Sequence, residues 1–385
     1  MGIVHSILNI LVLRIIEEIP SIFTFSFFNF QKCFILFVFI IITMKDLFDY
    51  ATFGEFKLNS RIVRTGLWES EREKSGNLTP EIYDRYENIA ASGVGLIITE
   101  LYSLYPRDAF SKYSNTLNYK QFVREAKDLT DLVHLYDVPI FAQLGFVQFH
   151  KHAEQNVKIE DLTIEDIRKI QTDFIIAAQK IDYAGFDGIQ IALGNYYFLT
   201  RFISPYFNKR EDKYGGNTFN RLRIVLEIIK VIKQNTKLHI NCRLNAFDIQ
   251  KGGTTVEETI EIAKLLEKHG VDSLQITRPR SPQYFSRENY QKKILASACD
   301  SIIENVNIPV IMGGGVKTQK QINNILNKTN VEFISMQRPF VCDSSFLIDW
   351  QLEGDGEVKC KTCNNCYWKK TSTCFLYPKA TLNID

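Results

Sequence analysis

Excess charge of either sign is what this sequence lacks: 46 Lys and Arg against 44 Asp and Glu leave a formal +2. Non-specific binding to nucleic acid needs concentrated basic surface, so such a role is set aside. A disulfide framework is missing too. Eight cysteines are spread over 385 residues, with Cys360, Cys363, Cys366 and Cys374 crowded near the C-terminus. A small secreted scaffold would carry them at regular density, so a reducing, cytoplasmic setting is expected. No GxGxxG follows the first strand-like run, which counts against an open dinucleotide-binding sheet.

What is present is apolar material, 45% of residues, enough to bury a large core. Residues 1–43 stand apart, with Arg14, Glu17, Glu18 and Lys32 as their charges. From Ile22 to Thr43 the run has the length of a bilayer-crossing helix, roughly 20 apolar residues. Asn29, Gln31 and Lys32 lie in its middle, however, and a central Lys costs about 2.5 to 3.5 kcal/mol on insertion scales. Three readings of the segment stand: a membrane anchor, a targeting segment, or upstream sequence ahead of a start at Met44. The last is favoured because MKDLFDYATFGEFKLNSRIV begins like an ordinary soluble domain. The expected division is therefore an extension over 1–43, one large folded domain over 44–355 and a cysteine-bearing segment over 356–385.

From Arg61 onward a short β-branched run, a loop and an amphipathic helix alternate. The eight runs are RIVRTGL (61–67), GLIITEL (95–101), PIFAQLG (139–145), GIQIAL (188–193), HINCRLN (239–245), SLQITR (273–278), PVIMGG (309–314) and FISMQR (333–338). Thr79 before Pro80 reads as a helix start and Gly93 as its stop. Phe122, Ala126, Leu129 and Val133 form a helical stripe, as do Leu222, Val225, Leu226, Ile229 and Ile232. Thr254 with Glu257 and Thr318 with Gln321 read as capping pairs, and Gly270 as a stop. Eight such units, with strands apolar on both faces, predict an α/β fold of the closed (β/α)8 TIM-barrel type. Chemistry in such barrels sits at the C-terminal strand ends.

Those ends carry Thr65 with Trp68 and Glu69, Glu100, Gln143, Asn195 with Tyr197, Arg243, Arg278, Gly313-Gly314-Gly315, and Gln337 with Arg338. Singly, each reads as a solvated or locally paired side chain. Together they point to a site. The Gly run leads into a helix capped near Thr318, so backbone N–H groups and the helix dipole can face an anion, with Arg338 adding a charge-assisted bond. Strands 7 and 8 are where these barrels commonly hold phosphate. A phosphate there, with Gln143 and Arg243 at the mouth, suits flavin mononucleotide (FMN). Gln143 offers an amide to the pyrimidine edge, and Arg243 offers charge to the reduced ring.

At these residues the sequence resembles the Old Yellow Enzyme family of FMN-dependent NAD(P)H:flavin oxidoreductases, in its NADH oxidase branch, over roughly Leu47 to Cys366. The resemblance is carried by LNSRIVRTGLWES (58–70), ASGVGLIITE (91–100), AQLG (142–145), GFDGIQI with RFISPYFNKREDKYGG (201–216), PVIMGGGV (309–316) and FISMQRPF (333–340). It implies flavin contacts from Thr65, Gly66, Leu67, Glu100, Gln143 and Arg243, and phosphate contacts from Gly314, Gly315, Gln337 and Arg338. It implies that Asn195 grips the substrate carbonyl or nitro oxygen and that Tyr197 donates the proton. Where the family has a His three residues before Asn195, this chain has Ala192. One such donor is worth about 2.7 to 4 kcal/mol in other enzymes. Phe146 also replaces a His that usually follows Gln143, while His150 and His152 lie further on; Tyr196 stands where a small residue is usual.

The implied activity is hydride transfer from NADH or NADPH, through FMN, to an electron-poor alkene such as an enone, enoate or enoyl-thioester. The alternative, motivated by Ala192, is a degenerate barrel that binds flavin or another ligand without turnover. The partner is a small-molecule substrate, with a membrane involved only if residues 22–43 are a true anchor; no oligomeric state is implied. In CKTCNNC (360–366), with Cys374 beyond, the thiol spacing can ligate zinc or a 4Fe-4S cluster. Cluster-bearing relatives use a longer gap late in the series, and unligated thiols are the competing reading.

Overall fold

The computed structural model describes residues 44–66, 77–105, 117, 120–147, 149, 157–279, 288–354, 356–368 and 374–376, without the side chains of 288–294, 367 and 368. Contacts divide the chain into a unit Met1–Lys45, of which Met44 and Lys45 are described, and a unit Asp46–Asp385. The second unit holds every described strand and helix. Among the described residues no helix is long and apolar enough to cross a membrane. The run 22–43, for which a membrane anchor is one of three readings, lies outside them.

The expected barrel is present. A hairpin of β1 (Ala51–Phe53) and β2 (Phe56–Leu58) comes first. The eight barrel strands follow: β3 (Ile62–Arg64), β4 (Leu96–Ser103), β5 (Ile140–Gly145), β6 (Gly188–Leu193), β7 (His239–Asn245), β8 (Ser273–Thr277), β9 (Val310–Gly313) and β10 (Phe333–Met336). They close in chain order, with β10 pairing back to β3, every pair parallel.

The hairpin plugs the N-terminal end. Phe53 is fully buried and meets the ring of Phe333 edge-on at 5.1 Å, in a cluster with Val63, Leu96, Ile98, Phe141 and Ile311. Burying these rings removes water from the barrel floor and leaves the C-terminal mouth as the open end.

Helices sheath the strands, and those over 80–91, 122–134, 218–235, 256–268 and 319–328 fall where the sequence signals placed them. Helix α1 (Pro80–Ala91) begins at Thr79, and Gly93 follows it at φ +84°. Only glycine takes that left-handed stop without strain. Helix α2 (Phe122–His134) buries Phe122, Ala126, Leu129 and Val133. Helix α3 (Ile164–Tyr183) opens on a capping box between Thr163 and Asp166, and short α4 (Phe198–Ile203) follows β6. Helix α5 (Thr218–Asn235) buries the Leu222 to Ile232 stripe. Helix α6 (Val256–Lys268) corrects the reading by one residue: its cap is Thr255, whose hydroxyl accepts from Glu258 N at 3.2 Å. Thr254 instead closes the preceding turn, its N–H donating to Asp248 Oδ2 at 3.0 Å. Helix α7 (Glu288–Ile303) leads to β9, and α8 (Gln319–Lys328) is capped by Thr318 on Gln321 N as predicted. Helices α9 (Arg338–Cys342), α10 (Phe346–Glu353) and α11 (Asn365–Trp368) complete the described elements.

Candidate active site

The barrel interior departs from the apolar wall that the strand runs suggested. Its middle layer is built of amides and hydroxyls, where such barrels usually stack Val, Ile and Leu. Gln143 Nε2 donates to Gln190 Oε1. Gln190 Nε2 donates to Asn241 Oδ1 at 2.7 Å and to Gln275 Oε1 at 2.9 Å. Gln275 Nε2 passes to Ser335 Oγ at 2.7 Å, Asn241 Nδ2 to Ser273 Oγ at 2.8 Å, and Thr65 Oγ1 reaches Gln275 Oε1 at 3.4 Å. Satisfied buried networks of this kind fix side-chain positions, because a broken link leaves a costly unpaired group. The signal was legible: Gln190 in GIQIAL, Asn241 in HINCRLN and Gln275 in SLQITR each interrupt an apolar run at inward-facing positions.

The network decides what Gln143 can offer. Its amide hydrogens are turned toward Gln190, and Oε1 accepts from no described residue. An acceptor fitted to an N–H is thus left at the mouth, where the sequence suggested both donor and acceptor. Arg243, 5% exposed, stands in register beside Ala192 on β6 and Gln275 on β8. Glu100, 2% exposed, lies within a register shift of β4 between Ile98 and Leu101. Gly66 is pressed against that shift. An ideal Cβ there would lie 1.9 Å from Thr99 O, so the close approach of β3 and β4 requires glycine. Leu67, Trp68 and Glu69 lie outside the described residues, as do His150 and His152.

At the β9–β10 corner, Gly314 and Gly315 take φ +76° and +91°. A Cβ at Gly314 would meet only Ser335 O at 3.9 Å, so the loop leaves room for a group to approach its backbone. Gln337 turns across the rim and donates through Nε2 to Gly66 O, tying the end of β10 to the end of β3. Arg338 Nη1 donates to Asn364 Oδ1 at 2.7 Å. The C-terminal segment therefore docks beside the expected phosphate corner. Val358 N donates to Lys317 O at 2.9 Å, Thr318 bridges to Glu357, and Lys359 Nζ reaches Asp343 Oδ2 at 2.7 Å.

This docking brings the thiols together. Cys360, Cys363, Cys366 and Cys374 line one cavity with Arg338, and α9 adds Cys342, a fifth thiol that the spacing argument missed. No disulfide links them. Burial pushes the Cys342 thiol well above the usual range, with Cys374 close to it. Burial also raises Cys360, against the pull of Arg338. Among the described residues no three His, Cys, Asp or Glu side chains are arranged to hold a metal ion.

After β6 the chain turns sharply through Asn195 and Tyr196, both left-handed at φ +59° and +57°. Non-glycine residues rarely adopt this, and such strain collects at functional sites. The turn is held from below. Asn195 N donates to Asn245 Oδ1 at 3.1 Å, and Thr200 Oγ1 donates to Gly194 O at 2.7 Å. Tyr196 points away, accepting from Ile249 N at 3.1 Å and meeting the ring of Phe207. Tyr197, 6% exposed, packs against Ala192 and Leu101, so the short side chain at 192 lies against the phenol ring. Phe146 stacks on Phe198 at 4.6 Å in the apolar layer behind the site.

The sequence pattern of the NADH:flavin oxidoreductase / NADH oxidase family matches residues 46–352. The NADH oxidase of Thermoanaerobacter brockii is 27% identical over 343 residues, covering 83% of this chain and 53% of that protein, so the chain spans about half of that relative's length. The NADPH dehydrogenase of Listeria welshimeri is 30% identical over 248 residues, covering 61% of this chain and 73% of that one. The solved structure of the old yellow enzyme homologue from Zymomonas mobilis matches with a TM-score of 0.70 at 20% identity, over 88% of this chain and 100% of that one. At that identity the likeness concerns the fold.

Proposed function

The chain belongs to the NADH:flavin oxidoreductase / NADH oxidase family, and from that premise we propose that it is an FMN-dependent oxidoreductase using NADH or NADPH to reduce an electron-poor alkene. The observation that carries the reading is a convergence at one barrel mouth. Gln143 on β5, Asn195 and Tyr197 after β6 and Arg243 on β7 share the C-terminal side of the barrel with Gly314 and Gly315 after β9 and Arg338 after β10.

The residues fit FMN on their chemistry. Gln143 Oε1 is an open acceptor for a ring N–H, the backbone at Gly314 leaves room for a phosphate, and Arg338 supplies its counter-charge. Bound there, FMN supplies a two-electron carrier that takes hydride from the nicotinamide and delivers it to the alkene. The protein does the rest. Arg243 places fixed positive charge where negative charge collects on the reduced ring. Asn195 donates to the carbonyl that withdraws electrons from the alkene, and Tyr197 delivers a proton from its hydroxyl to the α-carbon. The plug of Phe53 and its neighbours keeps water from the far end of the barrel.

Anaerobic mixing tests this. NADH or NADPH is expected to bleach the flavin absorbance of the holoenzyme, and cyclohexenone is expected to restore it. Bleaching by neither nucleotide would favour the ligand-binding barrel that Ala192 suggests.

A further inference from the structure

Ala192 leaves the carbonyl clamp of the proposed reaction with one donor where two are expected, and the structure offers a replacement from a different strand. Asn245 is the last residue of β7, in phase with Arg243 and with Asn241, whose amide lies in the barrel interior. It is 6% exposed and lies directly beneath the strained turn. A Cβ on Gly194 would come within 3.2 Å of its Oδ1.

The bond from Asn195 N to Asn245 Oδ1, at 3.1 Å, also fixes the orientation of the amide. With the amide reversed, two donors would face each other. Nδ2 is therefore turned elsewhere, and it is a buried donor with no hydrogen-bond partner among the described residues. Asn195 Oδ1 is likewise buried without a partner among the described residues. Native interiors rarely leave a buried donor unpaired, so Nδ2 marks where an accepting ligand atom is missing.

We propose that Asn245 is the second hydrogen-bond donor to the substrate carbonyl, replacing in space the donor that Ala192 lacks. The inference rests on the function proposed above. It names a carbonyl oxygen as the atom that Nδ2 meets, with Asn195 as its neighbour in the clamp.

Asn245→Asp is the sharpest probe. A carboxylate oxygen still accepts the Asn195 N–H bond and so keeps the turn, but the donor is gone. Asn245→Ala removes both and controls for the added charge. Two readouts are needed on FMN-loaded protein: equilibrium binding of cyclohexenone to the oxidised form by calorimetry, and reoxidation of the reduced form by cyclohexenone relative to ferricyanide. Ferricyanide has no carbonyl to hold, so the ratio of the two rates isolates the clamp.

Both variants are expected to weaken cyclohexenone binding and to lower the rate ratio by tenfold or more, about the loss of one well-placed donor. If the wild type binds cyclohexenone and Asn245→Asp matches it in both readouts, the inference falls and the proposed function stands. If the wild type neither binds cyclohexenone nor is reoxidised by it, both fall.

Discussion

Gly66→Ala is expected to lose about 3 kcal/mol or more of stability, the upper end of what overpacking a core costs. The added Cβ would lie 1.9 Å from Thr99 O, 2.7 Å from Thr99 C and 2.9 Å from Glu100 Cα. All three are backbone atoms, so no rotamer change relieves the contact. Nor is that backbone free to retreat: Thr99 Oγ1 donates to Glu100 O at 2.9 Å and accepts from Gln143 N at 3.2 Å. The other side is held by Gln337 on Gly66 O. Relief must come from parting β3 and β4, which carry Thr65 and Glu100 at the mouth. A fair reference is Gly252→Ala. There φ is +80° with nothing within 4 Å, so only the left-handed backbone is penalised, by about 1 to 2 kcal/mol. Thermal melts of the two variants should separate clearly. Equal melting temperatures would mean that β3 and β4 do not approach as described.

Tyr197→Phe is expected to slow reoxidation of the reduced enzyme by cyclohexenone about 100-fold, the lower end of what a positioned general acid contributes. The substitution removes the hydroxyl and keeps the ring, which packs on Ala192 and Leu101. Flavin content should stay close to wild type, and bleaching by NADPH, which needs no proton from residue 197, should keep pace with it. Stopped-flow traces of the two half-reactions separate these effects. An equal slowing of both would assign Tyr197 to packing or ring position instead of proton delivery.

Much of the architecture was legible because it is written in local pattern. Eight apolar runs, helical stripes and the helix starts at Thr79 and Thr318 depend on neighbours a few residues away. Strand-end residues such as Gln143, Arg243 and Arg338 could be singled out because the barrel assigns function to one rim. What escaped depends on partners distant in the chain. The single amides are visible as breaks in apolar runs, but the layer joining Gln143, Gln190, Asn241 and Gln275 exists only once β5 to β8 are side by side. The docking of Asn364 on Arg338 and the entry of Cys342 into the thiol cavity need the C-terminal segment to fold back over α9. Asn245 looks like an ordinary strand terminus until the left-handed turn at Asn195 is laid above it. The one-residue slip from Thr254 to Thr255 has a similar origin: both threonines can cap, and Asp248 takes the first for the loop.

Every chemical role assigned to this barrel requires that its mouth hold FMN. Purified protein should be titrated with FMN after gel filtration and followed by the shift and structure of the flavin absorption band. The expected result is saturation at one FMN per chain, with affinity that drops sharply in Arg338→Ala. A folded protein that stays colourless through high micromolar FMN would contradict it.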